Sequence, residues 1–435
     1  MSSPAFIESS SARIESMPLD LSQVMLTYLP SDSLLSLIHA SPVMRRVLFN
    51  DLKPICRHVA LNDVGRIPLP FAIALYHAQR SSPAPTQGRF VPYTDRVIAF
   101  CNQYLKNIRS PIKPQAITLE MVIGIGRFAR VAQGFARIVA GEPSFASQFP
   151  TELSENEWQR IVKTVYIYEL ASRVARLGVT LLEPAWRIFW EKFAPWETCH
   201  VPPLELCIAN LWIEKCKYTH MTKPEIVRSF KLEVTTIICS PREVTLVQGL
   251  RMIHSILFPP NATALGPGFI QSSKDMVATG NYVHANEQDY RPWFCNGVLQ
   301  RHQVLQMMDQ FPDDSDESRD FWIWAMLIRE VSKKSRLYEL RKLWEPKIVQ
   351  VRRRRTVFVG GYCFLDRATI EKQVPYPDMD ELIKEMKSMA IGNTQPGIAM
   401  GKDEDREGMQ QCVSLNGGYG QFIYDVGIRP YITSE

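Results

Sequence analysis

No stretch of this sequence is apolar for long enough to cross a bilayer. The longest strongly apolar run, Phe321 to Ile328, falls far short of the roughly 20 residues a helical span needs. The opening residues, MSSPAFIESSSARIES, lack a basic start followed by an apolar core, so no secretory leader is legible. The nine cysteines have no repeated spacing, which excludes the disulfide framework of a small secreted domain and suits reduced thiols. Neither sign of charge dominates: 50 Lys and Arg stand against 45 Asp and Glu, a net +5 that is no nucleic-acid footprint. GxSxG, a Walker-A lysine loop, HExxH and paired-carboxylate motifs are all missing, which counts against an enzyme. No repeat of solenoid period is visible. These absences leave a soluble protein of the cytoplasm and/or nucleus, with no membrane, no nucleic acid and no cofactor expected.

What is present is globular. The chain has 435 residues, 46% apolar and 22% charged, enough for about two or three domains with a substantial core. The stretch from Ile14 to Phe49 is the most informative. Leu21, Val24, Met25, Tyr28 and Leu29 recur at helical spacing and define one apolar stripe. Leu29-Pro30 ends that segment, because the residue before proline avoids helix. Ser31 or Asp32 then caps a second segment carrying Leu34, Leu35, Leu37 and Ile38. Ser41-Pro42 restarts the chain again, a hydroxyl cap followed by proline at the first helical position. Three short helices with two proline-marked corners follow from local rules.

This stretch resembles the F-box. Met17-Pro18, Asp20-Leu21, Met25-Leu26, Leu29 and Leu34-Leu35 fall into that family's pattern of Leu-Pro, acidic-Leu, paired aliphatic, Leu and Leu-Leu. Ser22 replaces a usual Leu, and Ser41 and Met44 stand where many members have Cys and Trp, departures that bear on adaptor binding more than on the fold. Ala40-Ser41-Pro42 is similar to the fungal form of the motif. Two later stretches extend the resemblance to ascomycete F-box-like proteins. One is EWQRIVKTVYIYELASRVARL (157–177); the other is FWEKFAPWETCHVPPLELCIANLWIEK (189–215), where a Pro-Trp-Glu turn precedes a helix. The resemblance implies a non-catalytic substrate receptor that docks on the adaptor subunit of an SCF-type ubiquitin ligase and recruits a target protein. It assigns the docking to Pro18, Leu21, Met25, Leu29, Pro30, Leu34 and Leu35, as contacts or as supports for them. A short helical hairpin cannot bury all of these internally, and an exposed apolar patch usually marks a partner site.

Two alternatives stay open. The same helices can be the first layer of a helical scaffold, with the motif serving its core or another partner. The chain can also be an enzyme or metal protein built around 124–142 or 199–220. Gly124-Ile-Gly126-Arg-Phe-Ala129 matches a dinucleotide glycine fingerprint after ITLEMVI, a plausible strand, with Glu142 at a suitable distance. No alternating βαβ units follow, so small residues at helix crossings explain it better. Cys199, His200, Cys207, Cys216 and His220 are ligand types, but their gaps fit no standard zinc module. Arg352 to Arg355 is the one dense basic run and reads as a solvated strand or loop. Trp322 and Trp324 read mainly as core, with a peptide-binding groove as the lesser reading.

The expected fold is mainly α, with a three-helix F-box-like module on a larger irregular helical domain and a small β-element near 349–364. Its expected divisions are a flexible N-terminus (1–15), the module (16–60), a connector (61–92) and a helical domain (93–258). A long loop (259–292), a C-terminal helical part of the same body (293–391) and a loose tail (392–435) complete the chain. Further expectations are a break at Pro54, a helix in two pieces from Thr118 to Val139, and a capping box at Ser154–Glu157. One helix is expected over Arg319 to Leu343, and a Gly360-Gly361 turn within the β-element.

Overall fold

A computed structural model describes residues 14–80, 93–106, 108–109, 117–141, 152–177, 188–201, 204, 207–208, 211, 249–257, 305, 308–309, 311, 318–327, 331, 333, 335–352, 355–358, 364–372 and 378–392. The 81–92 part of the expected connector, the expected loop at 259–292 and the tail beyond 392 lie outside the described residues, as do Cys216 and His220. The protein is mainly α-helical, with one two-stranded hairpin among the described residues. The chain forms two compact units. The first is 1–142, 153–178 and 245–264, and the second is 143–152, 179–244 and 265–435.

The first unit opens with three short helices, α1 (Leu19–Tyr28), α2 (Ser31–Ala40) and α3 (Pro42–Asn50). Both proline corners fall where the sequence places them. Ser41 caps α3, its hydroxyl accepting from the Met44 N–H at 3.2 Å, with Pro42 at the first helical position. Next, α4 (Leu52–Val64) runs straight through Pro54. The expected break does not occur because Pro54 lies in the first turn, where a missing N–H has no intrahelical acceptor to lose. Gly65 ends α4 with φ +89°, and its N–H donates to Leu61 O at 2.8 Å.

Then come α5 (Leu69–Arg80) and α6 (Tyr93–Phe100), the latter continuing as one π-helical turn over Cys101–Leu105. The Thr118–Val139 region forms one helix rather than two, α7 (Leu119–Gly141), opened by Thr118 Oγ1 accepting from Met121 N at 3.2 Å. ITLEMVI is therefore the start of this helix and not a strand.

At α8 (Glu155–Leu177) the expected capping box is complete. Ser154 Oγ accepts from Glu157 N at 3.1 Å, and Glu157 Oε2 accepts from Ser154 N at 2.8 Å. This helix is buried on every side over most of its length, including the polar Lys163, Thr164 and Glu169. Its Gln159 pins the α4–α5 turn, accepting from Ile67 N at 2.8 Å. Glu169 Oε2 accepts from Leu250 N at 2.7 Å, at the start of α10 (Leu250–Leu257).

In the second unit, Phe189, Trp190 and Phe193 pack on one another with centroids 4.8, 5.1 and 6.1 Å apart. They lead into α9 (Pro195–Thr198), the expected Pro-Trp-Glu turn, where Glu197 Oε2 accepts from Ala194 N at 2.8 Å. Arg319 to Leu343 is two helices, α11 (Ser318–Leu327) and α12 (Tyr338–Ile348), not one. The interruption is a polar turn in which Ser335 Oγ accepts from Leu337 N at 3.1 Å. Strands β1 (Val349–Arg352) and β2 (Arg355–Phe358) pair antiparallel with Val349 opposite Phe358 and Arg352 opposite Arg355. The hairpin thus closes at the arginine run rather than at Gly360-Gly361. Helices α13 (Arg367–Glu371) and α14 (Met379–Gly392) follow, α14 capped by Asp378 Oδ1, which accepts from Asp380 N at 3.0 Å and Glu381 N at 3.1 Å.

A candidate docking face on the first helices

Helix α1 is apolar on nearly every side, so packing decides which side is covered. Its inner face is Ser22 and Leu26, 2% and 0% exposed, set against α4. Its outer face carries Leu21, Val24 and Tyr28 at 55, 52 and 77% exposure, spaced i, i+3 and i+7. Leu19 is exposed at the start of the helix, and Pro18 and Pro30 are exposed at the two ends. The stripe read from periodicity therefore divides: Leu21, Val24 and Tyr28 point away from the core, while Met25 and Leu29 lean on it. Contiguous exposed apolar surface of this kind is uncommon on a protein that has no use for it.

The seven residues assigned to docking separate into three sets. Pro18, Leu21 and Pro30 are open to solvent. Met25, Leu29 and Leu35 are half-buried and packed on the core. Leu34 is fully buried within a cluster that includes Leu26, Ile38, Val47, Ile55 and Val59, so it supports the face and does not belong to it. Val24 and Tyr28 were legible in the stripe but not in the motif that selected the seven. Val43 and Phe49 on α3, 38 and 59% exposed, carry no periodic signal at all.

Two clamps from α4 hold this face in place. Asn62 Nδ2 donates to Thr27 O at 2.6 Å, near the C-terminus of α1. Asp63 supplies the cap that α2 lacks locally. Ser31 and Asp32 do not cap this helix: its N-cap is Pro30, Ser31 is buried as its first residue, and the Ser31 N–H donates to both Asp63 oxygens at 3.2 and 3.3 Å. Burial raises the Asp63 carboxyl above its ordinary value. The hydrogen bonds from Ser31 pull it down, Asp32 pushes it up, and Arg130 lowers it. Gln133 Nε2 on α7 donates to Asp63 O at 2.9 Å. The Arg130–Asp32 pair at 2.9 Å is largely exposed and adds little. Burial pushes the nearby Cys56 thiol up to about 11, so it packs as an inert hydrophobe.

The two glycines of the fingerprint, and Gly134 beyond it on the same helix, sit at helix crossings. A Cβ on Gly124 would meet the Tyr76 ring on α5 at 2.5 Å, and one on Gly126 would collide with Ser31 Oγ and lie 2.7 Å from Asp63 Oδ2. A Cβ on Gly134 would sit 3.2 Å from His254 Nε2 on α10. His254 is partly buried against the Phe135 ring, 6.0 Å between centroids, and burial lowers its pKa. The unfolded chain then binds a proton that the folded chain resists. Stability of the first unit is expected to hold above about pH 6.5 and to fall as the pH drops through that value. Urea midpoints across that range should show this slope, and His254→Gln should reduce it without abolishing it, since burial and Arg80 lower the His77 pKa in the same unit.

Among the described residues no three His, Cys, Asp or Glu side chains gather as a metal site. The Cys199 thiol donates to Trp196 O at 3.0 Å, and the buried His200 ring stacks on Phe364 at 4.9 Å. Trp322 and Trp324 are fully buried, as read from the sequence. No described helix is long and apolar enough to cross a membrane. Compared with protein-family models, curated proteins and solved structures, the chain matches none.

Proposed function

We propose that this chain is a non-catalytic substrate receptor that binds the adaptor subunit of an SCF-type cullin–RING ubiquitin ligase through α1–α3 and recruits a target protein with the remaining body. The reading rests on the F-box-like order of residues 17–35. The single observation that supports it is the outward Leu21, Val24 and Tyr28 row, left uncovered on a helix whose opposite side is sealed. Bringing a target lysine near a ubiquitin-loaded partner raises its effective concentration, which is the only rate effect such a receptor exerts. The place of work is then the cytoplasm and/or nucleus.

The test is co-purification of the full chain with the adaptor. Wild type is expected to retain it. Leu21→Asp/Val24→Asp is expected to lose it with an unchanged thermal unfolding temperature, because both side chains are exposed and near-neutral for stability. An adaptor absent from wild type overturns the proposal.

One observation favours a second reading, a helical scaffold. The first helices are fastened into the body by Asp63 and by the Ser31–Gly126 approach, so α1–α3 are not a separable module. In that case the double substitution displaces a different partner while the adaptor never binds.

A further inference from the structure

Among the buried donors of α11, in the second unit, that make no hydrogen bond among the described residues, two lie on one side of the helix: Arg319 Nε and Trp322 Nε1. They are three residues apart and so share one face of the helix. Both sit on the same neighbour. The Arg319 guanidinium carbon lies 5.7 Å from the Trp196 ring centroid, and the Trp322 and Trp196 centroids are 5.8 Å apart. Phe311 closes on Trp196 at 5.7 Å. Trp196 and Trp322 are 0% exposed, whereas Arg319 and Phe311 are only partly buried, which gives the cluster an open edge.

An orphaned buried donor is costly, and native structures rarely keep one without a use. Two on one helix face, both against an aromatic wall, call for an acceptor. We infer that Arg319 and Trp322, walled by Trp196 and Phe311, form a binding site for a carboxylate. Everything polar that this pair offers is a donor. The positive end of the α11 dipole adds to the attraction, since Arg319 is in the first turn of this ten-residue helix. The charge selects a monoanion. One guanidinium balances one carboxylate, while Asp320 in the same turn and Asp313, Asp314, Asp316 and Glu317 just before it in sequence disfavour a phosphate dianion. A planar carboxylate also matches the fork of a guanidinium. The carboxylate comes either from an acidic side chain of a peptide or from a free small acid. The site does not depend on α1–α3 binding an adaptor.

Calorimetric titration of the full chain tests this with three probes: acetyl-Gly-Glu-Gly amide, its uncharged Gly-Gln-Gly counterpart and acetate. The glutamate peptide is expected to bind and the glutamine peptide not to. Binding by acetate as tight as the peptide's assigns the site to a free acid, and weaker binding assigns it to a peptide. Arg319→Gln and Trp322→Phe should each weaken binding by at least about tenfold, the loss that follows removal of a charge-assisted hydrogen bond. Trp324→Phe is the control. Its indole N–H is also an orphan, but it projects from another side of α11 and should leave binding unchanged. Arg319→Gln decides the matter if Trp322→Phe fails to fold. Equal binding of the two peptides, no binding by either carboxylate, or full affinity in Arg319→Gln overturns the site.

Discussion

Leu34→Ala is expected to lower the unfolding free energy of the first unit by about 2–5 kcal/mol, whereas Leu21→Ala changes it by less than about 0.5 kcal/mol. The two leucines stand in one motif and differ only in where packing puts them. Leu34 has no exposed surface and fills the space between α2, α3 and α4, in contact with a cluster containing Leu26, Ile38, Val47 and Val59. Truncation removes transfer free energy and leaves a cavity that close-packed neighbours fill only in part. Leu21 is more than half exposed, so truncation removes little that folding had buried. Chemical denaturation followed through a probe in the first unit measures both, since a chain of two compact units need not unfold in one step. The binding assay should rank them differently. Leu21→Asp/Val24→Asp acts on capture alone, while Leu34→Ala weakens capture only as the face it supports loosens. Equal stability losses for Leu21→Ala and Leu34→Ala would show that α1 has no free side, and the docking proposal would go with it.

What was legible in the sequence was chemistry confined to a few neighbouring residues. Pro30 and Pro42 cut the first helices correctly because proline's constraint is covalent. The Ser154–Glu157 box was legible for a similar reason, since both partners lie within one turn. The errors came where a distant element supplies what a local rule assigns to a neighbour. The α2 cap is Asp63, 32 residues beyond Ser31, so no window around Ser31 reveals it. Pro54 misled because its effect depends on its turn within the helix, and that depends on where α4 starts. The docking face was half legible. Periodicity gave the stripe Leu21, Val24, Met25, Tyr28 and Leu29, but a helix with apolar residues on most sides does not declare which of them the core takes. Only α4, packed on Ser22 and Leu26, settles it. Arg319 had no sequence signal as a site and Trp322 read mainly as core, because an orphaned donor is a property of surroundings and not of composition.

The same reasoning makes Gly126 the position where a single methyl group should do the most damage. In an ordinary helix interior Gly→Ala stabilises by roughly 0.5–1 kcal/mol, because glycine's backbone freedom is lost on folding. Gly141 is the last residue of the same helix, where a Cβ would meet nothing within 4 Å, so Gly141→Ala is expected to be near-neutral or slightly stabilising. At Gly126 a Cβ would overlap Ser31 Oγ and press on Asp63 Oδ2 at 2.7 Å. Neither neighbour has room to yield. Ser31 is 4% exposed at the start of α2, and Asp63 holds the cap of that helix. Gly126→Ala is therefore expected to cost about 1–3 kcal/mol, opposite in sign to the gain at an unhindered interior glycine. Amide hydrogen exchange locates the loss: protection should fall first at the start of α2, where the Ser31 N–H depends on Asp63, and afterwards along α7. Restoring space with Ser31→Gly in the Gly126→Ala background should recover part of the stability, a coupling that only residues in contact show. If the two substitutions simply add, α2 and α7 do not meet at this crossing, and the first helices are held to the body by α4 alone.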